Sequence, residues 1–228
     1  NFGLGVVSQG LGMAARASGP TSGSIAIAGI PSGATVVQAF LYWSNTGNSG
    51  GDATATFQSQ NIAGTLIGTH GGTCWSYNNS YGYRANVTSL VPGNGSYSIS
   101  NIHNSPAANG NGASLVVVYS DPNLPRSSQV RIWDGTSVAR NNADPNETIT
   151  LNGFTNPTTP RGAWLHLGVG DGQSYDDGSR SFNGFNYASG NIWSGSDGAM
   201  WDDRTYTVTS YLPAGDTALV VQFGEQVD

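Results

Sequence analysis

The stretch Gly112–Pro122 constrains the fold of this chain more than any other. Leu115-Val116-Val117-Val118-Tyr119 is an unbroken run of aliphatic, β-branched or aromatic residues, bounded by Gly112 and by Asp121-Pro122. The run is well below the roughly 12–15 residues an isolated helix needs, and its makeup is that of a strand buried on both faces. Such a strand belongs in the middle of a sheet. A polar turn from Asn123 to Ser128 leads to Gln129-Val130-Arg131-Ile132-Trp133-Asp134-Gly135, whose alternation places Val130 and Ile132 on one face. The two runs together predict a central hairpin.

Three echoes divide the chain. Asn86-Val87-Thr88-Ser89-Leu90-Val91-Pro92-Gly93 matches Thr207-Val208-Thr209-Ser210-Tyr211-Leu212-Pro213-Ala214-Gly215. Ser24 to Ile30 matches Thr148 to Phe154, each followed by a turn and an aromatic strand, Ala39 to Trp43 and Ala163 to Leu167. Thr217 to Phe223 has the shape of Ala113 to Tyr119. The order is the same in both halves, which predicts two related β units of roughly a hundred residues. The expected organisation is an N-terminal extension over 1–23, a first unit over 24–140 and a second over 141–228, possible also as one merged sandwich.

Composition points the same way. The 228 residues include 33 Gly and 10 Pro, no Lys, 8 Arg and only two Glu, Glu147 and Glu225. Helix formers are scarce, and Gly, Ser, Thr, Asn, Val and Tyr favour short strands joined by tight turns. The expected fold class is all-β, a jelly-roll-like β-sandwich with almost no helix. The net charge is −6 and the arginines are scattered singly, so the basic footprint of a nucleic-acid binder is absent. No apolar run approaches the ~18 residues of a membrane span, and the start reads as a mature, processed N-terminus. Cys74 is the lone cysteine, which excludes an internal disulfide and suits a small buried hydrophobe. Low charge with abundant Asn, Ser and Thr suggests a secreted, extracellular protein. Asn78, Asn86, Asn94 and Asn146 each open an Asn-x-Ser/Thr glycosylation triplet.

The leader Asn1 to Ala17 alternates. Phe2, Leu4 and Val6 are separated by Gly3 and Gly5, and Leu11 and Met13 follow with Gly10, Gly12 and Ala14 around them. One face carries bulky apolar groups and the other almost nothing. This is an N-terminal strand of the protein's own sheet, or a donor strand that completes the sheet of the next copy, since added strands gain main-chain hydrogen bonds and side-chain pockets. Gly19 to Gly23 reads as its linker.

Two further stretches are candidate sites. Trp75, Tyr77, Tyr81 and Tyr83 lie among turn residues and form either a sugar-stacking platform or the cap of a sandwich. Gly170 to Asp203 shows no strand signal, carries six of the twelve aspartates and holds Trp193. Long loops are usually functional or ordered by something, and Asp171, Asp176 and Asp177 among glycines supply the hard oxygens Ca²⁺ takes. The alternative is that Asp and Gly there are simply turn residues.

The segment Tyr206 to Phe223 resembles the closing strands of galactose-binding-like jelly rolls. The wider run through Arg84 to Ser89, Gly95 to Tyr97, Gly112 to Tyr119 and Asp134-Gly135 looks like an uncharacterised family of secreted prokaryotic surface domains. That resemblance implies an extracellular β-sandwich and transfers no catalytic residue.

No catalytic motif stands out. His70, His103 and His166 are isolated, with no second His at metal-ligand spacing. There is no nucleophile elbow or phosphate loop, and a carboxylate pair such as Asp176 with Asp202 is not singled out by spacing. The expected function is a non-enzymatic extracellular structural protein, a subunit of a filament or adhesive coat made of copies of itself and joined by the leader strand. The alternative is a carbohydrate-binding module for surface glycans, with or without Ca²⁺; a glycan-cleaving enzyme ranks third.

Overall fold

The computed structural model describes residues 2–13, 20–48, 50–71, 77–102, 108–139, 146–158, 162–170, 176–198 and 200–224. Its regular structure is almost wholly strand. The first half contributes β1 (Gly3–Gly12), β2 (Ser22–Ile27), β3 (Thr35–Gly47), β4 (Thr54–Phe57), β5 (Gln60–Ala63), β6 (Thr65–Gly71), β7 (Asn79–Asn86), β8 (Gly95–Ser100) and β9 (Ala108–Asp121). The second contributes β10 (Asn146–Asn152), β11 (Trp164–Gly170), β12 (Ser179–Phe182), β13 (Phe185–Ser189), β14 (Trp201–Thr207) and β15 (Ala218–Gly224). Two short 3₁₀ turns, Thr88–Leu90 and Thr209–Tyr211, are the helical content among the described residues.

The strands form an all-β sandwich arrangement with interleaved order. In the first half, sheet β1-β9-β3-β7-β6 faces sheet β2-β8-β4-β5. Between them lies one apolar core that includes Leu41, Trp43, Phe57, Tyr83, Ile99, Leu115 and Val117. In the second half, sheet β10-β15-β12-β13 and the pair β11-β14 enclose a smaller core around Leu151, Leu165, Phe182, Tyr206, Leu219 and Val221. No described strand before Pro122 shares a sheet with one after it.

The two halves repeat one frame. β2 pairs β8 as β10 pairs β15, β3 pairs β7 as β11 pairs β14, and the hairpins β4-β5 and β12-β13 attach to β8 and β15. The 3₁₀ turns coincide bond for bond. Val87 N–H donates to Ala39 O and Val208 N–H to Ala163 O, both at 2.9 Å. The Thr88 hydroxyl accepts the Ala39 N–H at 2.9 Å and the Thr209 hydroxyl accepts the Ala163 N–H at 2.8 Å. One echo is corrected by this topology: β15 takes the place of β8, whereas the sequence likeness joined it to β9. A run of buried apolar residues marks a central strand without saying which neighbours it has.

β9 sits between β1 and β3, as its two-sided apolar run requires. Both its edges are thereby taken, so the expected hairpin partner Gln129–Gly135 has no ladder to join and is not a strand. It lies against the outer face of the first sheet, held by side chains. Asp134 accepts the Tyr42 hydroxyl at 2.9 Å and pairs with Arg84. Thr136 lies where a Cβ on Gly68 or Gly82 would sit.

The leader is β1, and it pairs along all ten residues with β9 of the same chain. Within the single chain β1 thus completes the first sheet. The expectation of one apolar face is corrected. Leu11 lies opposite Ala113 and Val7 opposite Val117, so Val7, Leu11 and Met13 enter the core. Leu4 lies opposite Ser120 and Val6 opposite Val118, on the other face, and Phe2 is exposed. Even and odd positions of an unbulged strand cannot share a face.

Candidate functional site

Several expected site residues prove to be structural. Tyr81 and Trp193 are buried in the two cores, Tyr77 is half-buried, and Trp75 lies outside the described residues. Of this aromatic group, Tyr81 and Tyr83 on β7 point inward, and Tyr83 stacks on Trp43 at 5.7 Å. Asn78, Asn86, Asn94 and Asn146 are all exposed, and the Asn94 side chain is also tied to both peptide groups of Ile30, accepting at 3.0 Å and donating at 2.8 Å.

Described aspartates of 170–203 hold loop backbone. Asp176 accepts the Gly178 N–H at 2.8 Å. Asp177 is buried and one of its oxygens accepts the N–H groups of Ile192 and Trp193 at 2.5 and 2.6 Å. Asp202, fully buried, accepts from Gly195 N–H at 2.8 Å and Ser196 N–H at 2.9 Å. Burial holds the Asp177 carboxyl above its ordinary range against the lowering effect of those N–H groups. Asp171 lies outside the described residues, and among those described no three His, Cys, Asp or Glu side chains are grouped to hold a metal.

Two more of these acids join the halves. Asp203 accepts the Ser8 hydroxyl of β1, and Asp197 accepts the Gln9 amide, each at 2.6 Å. The Gly12 N–H donates to Asp197 O at 2.6 Å, and Trp201 lies over Gly10 and Gly112, where a Cβ would approach it to 2.7 Å. Small residues on β1 and β9 let the β14 end dock backbone to backbone. Burial raises both Asp197 and Asp203 above the ordinary carboxylate range.

The stretch Gly170 to Asp203, in which no strand was expected, contains a hairpin. Asn183-Gly184 between β12 and β13 has φ of 48° and 81°, the left-handed pair that a two-residue turn of the I′ type requires. β12 carries Arg180, fully buried, its guanidinium 3.8 Å from the Trp193 ring centroid and bonded to the Tyr206 hydroxyl at 2.5 Å. Burial pushes Tyr206 up to about 12 and lowers Arg180. The Arg180 Nε and Nη2 have no hydrogen-bond partner among the described residues, and the guanidinium lies against the Trp193 and Tyr206 rings, with the Asp177 carboxylate favouring its charge.

Beside this hairpin opens a cleft of about 450 Å³ lined by Asn183, Phe185, Tyr211, Pro213, Asp216 and Thr217. Asn183 braces it: its side chain accepts the Val220 N–H at 2.8 Å, donates to Tyr211 O at 2.7 Å and reaches Asp216 at 3.4 Å. Phe185 is 61% exposed and stands 6.2 Å from the Tyr211 ring. Nothing in the composition of the stretch marked this cleft; the Asn-Gly pair was the available signal.

His166 bonds the Thr205 hydroxyl at 2.8 Å across β11-β14, and burial lowers its pKa. No described helix is long and apolar enough to cross a membrane. No curated protein and no solved structure matches the chain. A family model matches residues 10–226, nearly all of both sandwiches, and the chain belongs to the family described as Protein of unknown function (DUF3344).

Proposed function

We propose that this chain is a non-catalytic structural protein of an extracellular surface, a subunit of a filament or coat that copies of itself build by exchanging β1. The observation that carries this reading is the seat of β1: an edge strand, ten residues in register on β9, with Leu11 and Met13 in the core. A second copy's β1 in that seat makes the same contacts, so the exchanged and closed forms share one β1–β9 ladder. The non-catalytic part is supported by the employment of Asp177, Asp197, Asp202 and Asp203 as loop and seam anchors. The surface setting rests on the lack of Lys and the abundance of Gly, Asn, Ser and Thr.

The test is a tether. Val6 and Val118 are directly opposite, at a spacing a disulfide can bridge. Val6→Cys with Val118→Cys, in a Cys74→Ser background, locks the strand at home when oxidised. Electron micrographs should show filaments for the parent and for the reduced variant, and single particles for the oxidised one. Filaments that grow equally well from the oxidised protein would remove strand exchange; a parent that stays monomeric at high concentration would remove the structural role.

A further inference from the structure

The internal repeat supplies a control for the cleft at Phe185. In the first half the same frame is built from the β4-β5 hairpin, whose turn Gln58-Ser59 has φ of 49° and 61°. Gln58 braces that turn as Asn183 does its own: its N–H donates to Ser98 O at 2.9 Å and its side chain accepts the Ser98 N–H at 3.0 Å. The Asn183 N–H and side chain make the corresponding pair with Val220, each at 2.8 Å. Phe57 and Phe182, the last residues before each turn, are both fully buried. With the frames superposed in this way, the position of Phe185 is held by Gln60, and that of Tyr211 by Leu90.

Gln60 is exposed, so the frame folds with a polar residue at this place. The second half nonetheless sets a phenylalanine there, 61% exposed, beside a tyrosine. Folding does not account for the ring. We infer that the cleft of Asn183, Phe185, Tyr211, Asp216 and Thr217 is a binding site for a neutral polysaccharide, whose sugar ring lies on the Phe185 face and whose hydroxyls bond the polar rim. A sugar presents an apolar C–H face and a polar edge, and this lining offers both: an exposed ring with its electron-rich face, and next to it a carboxylate and a hydroxyl. The depression is shallow and open to solvent, and its volume of about 450 Å³ suits one or two sugar rings. Asp216 is the charged residue of the lining, and the chain carries a net charge of −6, so acidic glycans are repelled. This inference does not depend on strand exchange or on filament formation.

The experiment is affinity electrophoresis of the whole chain through gels containing laminarin, mannan, xylan, hydroxyethylcellulose or, as the acidic comparison, alginate. At least one neutral glycan should retard the parent, and alginate should not. Phe185→Gln, which writes the first half's residue into the second, should bind about tenfold more weakly or worse, with its thermal midpoint unchanged because the ring is mostly in water. Phe185→Tyr keeps the stacking face and should bind as the parent does, which separates loss of the ring from a folding defect. Gln60→Ala, at the matching place in the first half, should change nothing. No retardation in any neutral glycan, or equal retardation of the parent and Phe185→Gln, overturns the site.

Discussion

The Trp201 indole N–H donates to the Ser114 hydroxyl at 2.9 Å, joining two buried side chains 87 residues apart, one on each sandwich. Removing the hydroxyl leaves a buried donor without a partner, which costs about 1–3 kcal/mol. Ser114→Ala should therefore lower stability by that amount in urea denaturation. Replacing the indole in the same background, Ser114→Ala with Trp201→Phe, should cost less than the sum of the two single changes, since the second removes the donor the first stranded. Strict additivity would mean that the bond contributes nothing to the joining of the halves.

The seam is also tight enough to be read by a methyl group. A Cβ on Gly112 would stand 2.6 Å from Leu11 O and 2.7 Å from the Trp201 Cβ, and one on Gly12 would stand 2.8 Å from Gly198 backbone. None of these atoms is the end of a flexible side chain, so relief requires shifting β1 against β9, or Gly198 and Trp201 away from both strands. Gly112→Ala should cost about 1–3 kcal/mol and broaden or split the calorimetric transition as the second sandwich loses its support. Gly93→Ala is the control, since a Cβ there meets nothing within 4 Å; a single sharp transition shared by both variants would show that the halves do not unfold through this seam.

The paired threonines allow one interaction to be measured twice. Thr88→Val removes the acceptor of the Ala39 N–H, and Ala39 is fully buried; Thr209→Val does the same to Ala163, which is half-buried. The first should cost about 1–3 kcal/mol and the second less, because water can reach the peptide group that is stranded. Equal losses in denaturant titration would show that the cost comes from the turn itself and not from the exposure of the donor.

Such pairs explain what the sequence made legible. The motif Val-Thr-Ser recurs because the threonine has a bond to make to the strand that precedes it, and that need is local enough to be seen in the chain. The apolar run of β9 was likewise sufficient, since a strand with neighbours on both sides and covered faces has few other solutions. Gln129–Gly135 alternated just as well and formed no strand, because alternation records an extended chain and not a free edge to pair with. β12 and β13 were hidden for the opposite reason. Their Asn-Gly turn is a strong hairpin signal, yet Ser-Arg-Ser-Phe reads as polar unless one knows that Arg180 lies buried against Trp193 and Tyr206. The cleft beside that turn was out of reach of the sequence for the same reason. The aspartates drew attention as metal ligands, and the structure gives Asp177 and Asp202 backbone N–H groups to hold.

Protonation of the seam gives the last prediction. Burial raises the pKa of Asp203, against the lowering effect of the hydroxyls of Ser8 and Ser114, and raises that of Asp197 beside it. A carboxyl whose folded pKa lies above its unfolded value, about 3.9, binds its proton more tightly in the folded state. Its contribution is therefore full below that unfolded value and is lost as pH rises through the folded one. From this pair alone, the thermal midpoint should fall as pH rises from about 4 and level off once both groups are ionised. Asp203→Asn keeps the size of the side chain and an oxygen for the Ser8 hydroxyl while removing the charge. The variant should melt higher than the parent at neutral pH and show a shallower dependence below it, with the two converging near pH 4 or so. A variant that melts lower than the parent at neutral pH would mean that the Asp203 charge is stabilised in place and that the burial of this seam is offset by its hydroxyls.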